Sequence, residues 1–302
     1  MTEEEAGHLP VLLDEVVEAL SPKGGESLLD LTVGLGGHSA AVQDLTSPGG
    51  LVVGVDRDSE ALAVASRRLD PGRTALVHGN FGDLQDLRSR LPRPDFDMVL
   101  ADLGVSSPQL DDGRRGFSFR QEGPLDMRMD RERGLDARAF LETIEETELM
   151  RIIADFGEER HARRVARAIV EERSVRPIDS TGQLARVVRS VVPRSRSGKV
   201  DPATRTFQAI RIAINGELEA LAHLLDRFET LLAPGGRFAV ISYHSLEDRQ
   251  VKEAFRLRER EQGHELLTPR PLRPQDDEVN RNPRSRSARL RVIRRLGEGG
   301  AR

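Results

Sequence analysis

Cysteine is absent from this chain of 302 residues. A disulfide scaffold, a thiolate zinc site and a cysteine nucleophile are all excluded. No apolar run approaches the ~20 residues that a membrane helix needs. The opening Met1-Thr2-Glu3-Glu4-Glu5 has neither the basic nor the apolar region of a secretory signal. The seven histidines stand at least 20 residues apart, so no His-x-x-x-His pair can grip zinc from one helix face. Lysine is scarce: Lys23, Lys199 and Lys252 are the only three among 46 cationic residues. The bland reading of that arginine bias is a GC-rich genome, and a polyanion partner is the other. The hydrophobic share of 37% and charged share of 32% describe a globular chain and exclude collagen-like or low-complexity classes. A cytoplasmic enzyme without a membrane anchor is the simplest expectation.

The net charge of −4 conceals an asymmetry. Residues 1–20 carry six acids and no lysine or arginine, whereas residues 281–302 carry eight arginines against Glu298. Segment 156–211 holds thirteen bases and six acids. Basic segments on a mildly acidic chain point to a local polyanion site.

Apolar periodicity predicts a helix over 11–20, then strands at 27–31, 51–55, 74–78 and 96–101. Between them fall helices at 38–45, 59–69, with Ser59 as N-cap, and 83–91. Continuous apolar strands alternating with helices read as βαβ units of a parallel sheet covered on both faces. After Asp102 the alternation stops. Residues 106–135 read as loop and 136–192 as helical, with a capping box at Ser180-Thr181-Gly182-Gln183. A long helical pattern returns over 203–232. A strand at 237–241, a charged helix at 245–261, a proline-bearing surface stretch at 264–287 and a terminal strand at 290–296 follow. Residues 297–302 read as frayed. The implied organisation is one α/β domain, 1–105 with 208–302, interrupted by a helical insertion at 106–207.

Asp30-Leu31-Thr32-Val33-Gly34-Leu35-Gly36-Gly37-His38 follows a strand and opens a helix. Glycines there let backbone approach a ligand, and helix N-terminal amides can meet an anion. Gly34 and Gly36 fit the dinucleotide fingerprint G-x-G-x-x-G, but its third glycine is replaced by Ser39. Asp56 ends the second strand, where a carboxylate can accept both hydrogen bonds of a ribose diol. Phe81 follows the third strand, where its ring can either cover an adenine or pack into the core. Asp102 ends the fourth. Sheets of this kind bind ligands beyond the carboxyl ends of their strands, and all these residues belong to that edge.

The same residues carry a resemblance. Gly36-Gly37-His38, Asp56-Arg57-Asp58, the run from Asp102-Leu103-Gly104-Val105 through Ser106-Ser107-Pro108-Gln109-Leu110-Asp111, Arg115-Gly116-Phe117-Ser118-Phe119 and Gly123-Pro124-Leu125-Asp126-Met127-Arg128-Met129-Asp130 are similar to motifs of the bacterial small-subunit ribosomal RNA cytosine-N4 methyltransferases. So are Pro202-Ala203-Thr204-Arg205-Thr206-Phe207-Gln208, Ser242-Tyr243-His244-Ser245-Leu246-Glu247-Asp248-Arg249 and Asn282-Pro283-Arg284. The resemblance spans residues 8 to 295. It implies a class I S-adenosylmethionine-dependent methyltransferase, a Rossmann-like α/β sheet with an inserted helical domain. It implies methylation of the N4 amine of a cytidine in the decoding region of 16S ribosomal RNA on the small ribosomal subunit. It carries cofactor contacts onto Gly36, Gly37, His38, Asp56, Phe81, Asp102 and Gln109. Two positions depart from the family's pattern: Asp201 stands where His is common, and Tyr243 where Phe is common.

Methylating C5 of cytosine takes a covalent nucleophile, usually Cys, and this chain has none. Methylating N4 takes an acceptor that localises the amine's lone pair and stabilises the charge that develops. Asp102 is the candidate, as catalytic acceptor or as cofactor ligand alone. His244 is the second catalytic candidate; contact with the base, proton shuttling and a structural hydrogen bond all remain open for it. The acidic run Asp276-Asp277-Glu278 reads as a solvated loop, and no metal is expected. Phe117, Phe119 and Tyr243 are candidate stacking platforms for a flipped base. Arg114, Arg115, Arg163, Arg164, Arg167, Arg194, Arg196, Arg205 and Arg211 are candidate phosphate contacts. Other readings are a methyltransferase on another substrate and a non-enzymatic ribosome-assembly RNA binder. A nicotinamide oxidoreductase fits less well without the third glycine.

Overall fold

The computed structural model describes residues 9–193 and 201–297. The chain forms two compact units. One runs to Gly104 and resumes at Leu218; the other is Val105–Glu217.

The first unit is built on seven strands: β1 (Leu28–Asp30), β2 (Val52–Asp56), β3 (Thr74–His78), β4 (Phe96–Asp102), β5 (Leu232–Ser242), β6 (His264–Leu266) and β7 (Arg289–Arg295). Their order is β3-β2-β1-β4-β5-β7-β6. β1 to β5 are parallel, while β7 runs antiparallel to both β5 and β6. The apolar runs are explained by burial on both faces. Leu29, Val53, Val99, Phe238 and Val240 join one core; Leu28, Val52, Met98, Ala239 and Ile241 join the other. Successive strand residues point to opposite faces, so a strand covered on both sides must be apolar throughout. The chain turns back at the β1/β4 boundary, the switch point where such sheets open a crevice.

Several expectations need correcting. Helix Ser59–Arg68 is capped by Asp58, whose carboxylate accepts from the Glu60 amide; Ser59 is its first residue. The strand expected at 237–241 is longer, Leu232–Ser242. The surface stretch contains β6 and a helix, Asp276–Arg281. Its acidic run is therefore no loop: Glu278 accepts a hydrogen bond from the Leu12 amide at 2.8 Å. The helical pattern over 203–232 breaks at Gly216, which takes φ 58 between helices Thr204–Asn215 and Glu217–Arg227. The insertion therefore ends at Glu217 and not at residue 207, because Phe207, Ala209 and Ile210 pack in the core of the second unit. The readings on Arg194, Arg196 and residues 298–302 lie outside the described residues.

The second unit has its own core, in which Leu149, Ile153, Val165, Ile169, Leu184 and Val188 are buried. The capping box at Ser180 and Gln183 is present as expected. Residues 106–135, expected as loop, also hold a short helix, Ser107–Asp111. The rest of that stretch is tied down. Arg115 is buried and donates to the carbonyls of Arg128 and Met129. Asn215 accepts from the Met129 amide and donates to the Met127 carbonyl, both at 2.8 Å. A Cβ at Gly116 would lie 2.4 Å from the Pro124 carbonyl oxygen, so only glycine lets these two segments pass.

Candidate active site

The turn after β1 is organised by its two flanking acids. Asp30 ends β1 and is buried; its carboxylate accepts from the Ser39 hydroxyl at 2.7 Å and the Thr32 amide at 3.2 Å. Ser39, in place of the third fingerprint glycine, is thus the anchor of an acid. Burial pushes Asp30 up to about 6 against that hydrogen bond. Asp56 ends β2. One of its oxygens accepts from the Gly34 amide at 2.8 Å and the other from the Asp58 amide at 2.9 Å. Burial raises this carboxyl too. Gly34 and Gly36 take φ values of 51 and 76, which side chains rarely adopt. Gly37 has a different reason: a Cβ there would meet Pro10 at 2.5 Å.

A carboxylate offers about four lone-pair positions. Asp56 uses two on the backbone, leaving one on each oxygen for a diol. The bare turn at Gly34, where a Cβ would find only the Thr32 carbonyl at 3.8 Å, leaves room for a ligand beside it. These residues fit a nucleoside such as that of S-adenosylmethionine. Asp56→Ala is expected to weaken that binding by ~1–3 kcal/mol, the scale of lost hydrogen bonds to a charged group. Calorimetry on the folded variant checks this; unchanged affinity would remove the ribose assignment.

Asp102 ends β4, next to β1 on the same edge. Its amide donates to Thr32 Oγ1 at 2.6 Å, and its Oδ1 accepts from the Tyr243 hydroxyl at 2.8 Å. The side chain is half-buried. Desolvation pushes the carboxyl up to about 7; the Tyr243 hydrogen bond opposes this and the Glu247 charge adds to it. His38 is buried, with Nε2 2.9 Å from the Val11 carbonyl. Nε2 must donate there, which leaves Nδ1 without a proton in the neutral ring. That Nδ1 lies 3.9 Å from Asp102 Oδ2. Burial lowers the pKa of His38 and so favours the neutral form.

Gly34, Gly36, His38, Asp56 and Asp102 thus share one edge of the first unit. Other candidates are placed differently. Phe81 is buried in the core with Leu84 and Leu87, and the Arg57 guanidinium lies 5.6 Å from its ring centre. Gln109 belongs to the second unit, where it is buried and closes a capping box with Ser106. His244 is the N-cap of helix Ser245–Arg260, its Nδ1 accepting from the Glu247 amide at 3.4 Å. Its Nε2 is buried 3.1 Å from Glu247 Oε1 with no hydrogen-bond geometry to any described residue.

Phe117 is a core residue. Phe119 is half-buried, with the Phe207 ring edge-on at 4.8 Å and Arg189 at 5.3 Å. Asp201 pairs with Arg189 at 2.8 Å and accepts from the Ala203 amide. Among the arginines, Arg115 is held by backbone carbonyls, and Arg211 pairs with Glu217 at 2.8 Å. Arg114 and Arg167 pair locally with Asp112 and Glu171, and Arg205 donates to the Glu158 carbonyl. Arg163 and Arg164 are exposed and make no ion pair among the described residues.

Sequence reasoning missed Asp30, Tyr243 as a partner of Asp102, and Glu247. For Asp30 the signal was available: an acid closing a buried apolar strand before a glycine turn. For the other two there was none, since their partners are distant in sequence or backbone groups.

A doubly wound sheet in this strand order, with an antiparallel final pair, a glycine turn after β1 and acids ending β1, β2 and β4, defines a class I methyltransferase. Residues 5–296 match the MraW methylase family, and the chain belongs to it. It is 50% identical over 292 residues to the ribosomal RNA small subunit methyltransferase H of Sorangium cellulosum, covering 96% of this chain and 91% of that one. Proteins of the same name from Syntrophotalea carbinolica and Synechococcus elongatus are 46% and 48% identical, over 98% and 96% of this chain and 100% and 95% of theirs.

Proposed function

We propose that this protein transfers a methyl group from S-adenosylmethionine to the N4 amine of a cytidine in the decoding region of 16S ribosomal RNA, in the cytoplasm. The names of its relatives support the ribosomal substrate. The observation that carries the chemistry is the Asp102 carboxylate, held by Tyr243 on the edge that also presents the glycine turn and Asp56. When bound, S-adenosylmethionine supplies a methyl group on a positively charged sulfur. Everything else falls to the chain. Asp56 and the turn Gly34–His38 hold the nucleoside and its tail. Phe81 is assigned to the same ligand on the family resemblance.

The N4 lone pair of cytosine is delocalised into the ring, so the amine is a weak nucleophile. An acceptor on an N4–H keeps that lone pair available and stabilises the positive charge as the new bond forms. Asp102 is assigned that role, and with its pKa near 7 it can take up the released proton at neutral pH. Positioning contributes up to ~7–11 kcal/mol of barrier lowering in such reactions, so no stronger base is required. His244 is assigned to shape the base pocket from the helix N-terminus it caps.

The test is mass mapping of 16S RNA from cells with and without the gene, followed by methyl transfer in vitro. Loss of one methyl group from a single cytidine N4, restored by the purified protein, is expected. An unchanged RNA would sink the assignment.

A further inference from the structure

We infer that Tyr243 is a positioning residue for methyl transfer, holding the Asp102 carboxylate in place through its hydroxyl. The inference rests on the role proposed for Asp102.

Tyr243 is the only tyrosine in the chain, and it immediately follows β5, the strand paired with β4. Three contacts fix it. Its backbone amide donates to Glu247 Oε2 at 2.9 Å, and Glu247 is itself buried in the first turn of helix Ser245–Arg260. Its ring lies against Gly104, where φ is +93 and an added Cβ would sit 3.5 Å from Tyr243 Cδ2. Its hydroxyl donates to Asp102 Oδ1 at 2.8 Å. The Asp102 amide is held separately by Thr32. Side chain and backbone of Asp102 are therefore each anchored by a different neighbouring element.

A hydroxyl that serves as packing needs no acceptor. This one is aimed at a carboxylate, and that carboxylate keeps Oδ2 for another partner. The charged groups facing Asp102 are His38 from the helix after β1, Asp30 from β1, and Tyr243 and Glu247 from the end of β5 and the helix after it. Of these, the hydroxyl is the one that donates to the carboxylate and favours its ionised form. Glu247 and Asp30 oppose ionisation, and a neutral His38 leaves it without compensation. Removing the hydroxyl should raise the Asp102 pKa and loosen its side chain while leaving the aromatic ring in place.

The experiment is the pH profile of single-turnover methyl transfer, with S-adenosylmethionine saturating and unmethylated small ribosomal subunits as acceptor. Wild type, Tyr243→Phe and Asp102→Asn are compared, with circular dichroism as a check on folding. For Tyr243→Phe the acid limb should move up by about one pH unit or more, the scale of a lost charged hydrogen bond. That is about a tenfold loss below neutrality, with recovery near pH 9 and unchanged cofactor affinity. Asp102→Asn should lose the limb altogether. If Tyr243→Phe keeps the wild-type profile while Asp102→Asn is crippled, the positioning role is overturned and the role of Asp102 stands. Phe preserves the ring, so that result would show the hydroxyl to be dispensable. If both variants transfer at the wild-type rate, the catalytic reading of Asp102 fails and this inference fails with it.

Discussion

Asp102→Asn is expected to lower the saturated methyl-transfer rate by about 10²–10³-fold while changing cofactor affinity little, by analogy with other preorganised electrostatic contacts. The amide can still accept one hydrogen bond, and Tyr243 can still donate to it. What it lacks is the charge that stabilises a cationic amine and the basicity to take its proton. If Asp102 serves only the cofactor, affinity falls instead and the rate recovers at saturation. Single-turnover rates beside equilibrium binding separate the two.

A second readout runs the opposite way. Burial moves the Asp102 carboxyl from an ordinary 3.8 to about 7 in the folded protein. The folded state then holds this proton more tightly than the unfolded chain, so the group costs stability as pH rises from about 4 to about 7. Asparagine carries no charge. The variant should therefore melt above wild type at pH 8, with the gap closing as pH falls toward 4. A residue that destabilises the fold while serving the reaction fits the usual trade between stability and activity.

The central strands were legible because they are buried on both faces. Val52, Val53 and Val55 leave no polar position to confuse the period, and the acids Asp56 and Asp102 close β2 and β4. The short β6 was not legible: His264-Glu265-Leu266 offers one apolar residue and pairs only through β7. Nor was the end of the second unit. Helix Thr204–Asn215 and helix Glu217–Arg227 carry the same helical period, and period does not say which core a helix joins. The contact between Asp102 and Tyr243 joins residues 141 apart in sequence. It arises from the pairing of β4 with β5, and no local pattern encodes it. The arginine clusters were visible as charge, but charge alone did not reveal that Arg115 and Arg211 are committed to carbonyls and to Glu217.

The other large effect is expected from removing the second unit. Replacing Val105–Glu217 by a flexible Gly/Ser linker should leave a folded α/β unit that binds S-adenosylmethionine but neither binds nor methylates ribosomal RNA. The separate cores motivate this. Leu29, Val53, Val99 and Phe238 pack with Leu221, Leu224 and Phe228 of the first unit, whereas the second unit packs on itself. The exposed Arg163 and Arg164 of helix Ala162–Val175 motivate the loss of RNA. A phosphate contact by such a side chain releases counterions, and each lowers the slope of log affinity against log salt by ~0.7–0.9. The double substitution Arg163→Ala, Arg164→Ala in the full chain should therefore reduce that slope by about one to two and weaken RNA binding at low salt, without altering cofactor affinity. RNA affinity and salt slope that survive removal of the whole unit would place recognition on the α/β unit instead. A slope reduced by removal of the unit but not by the double substitution would keep recognition there and move it to other side chains.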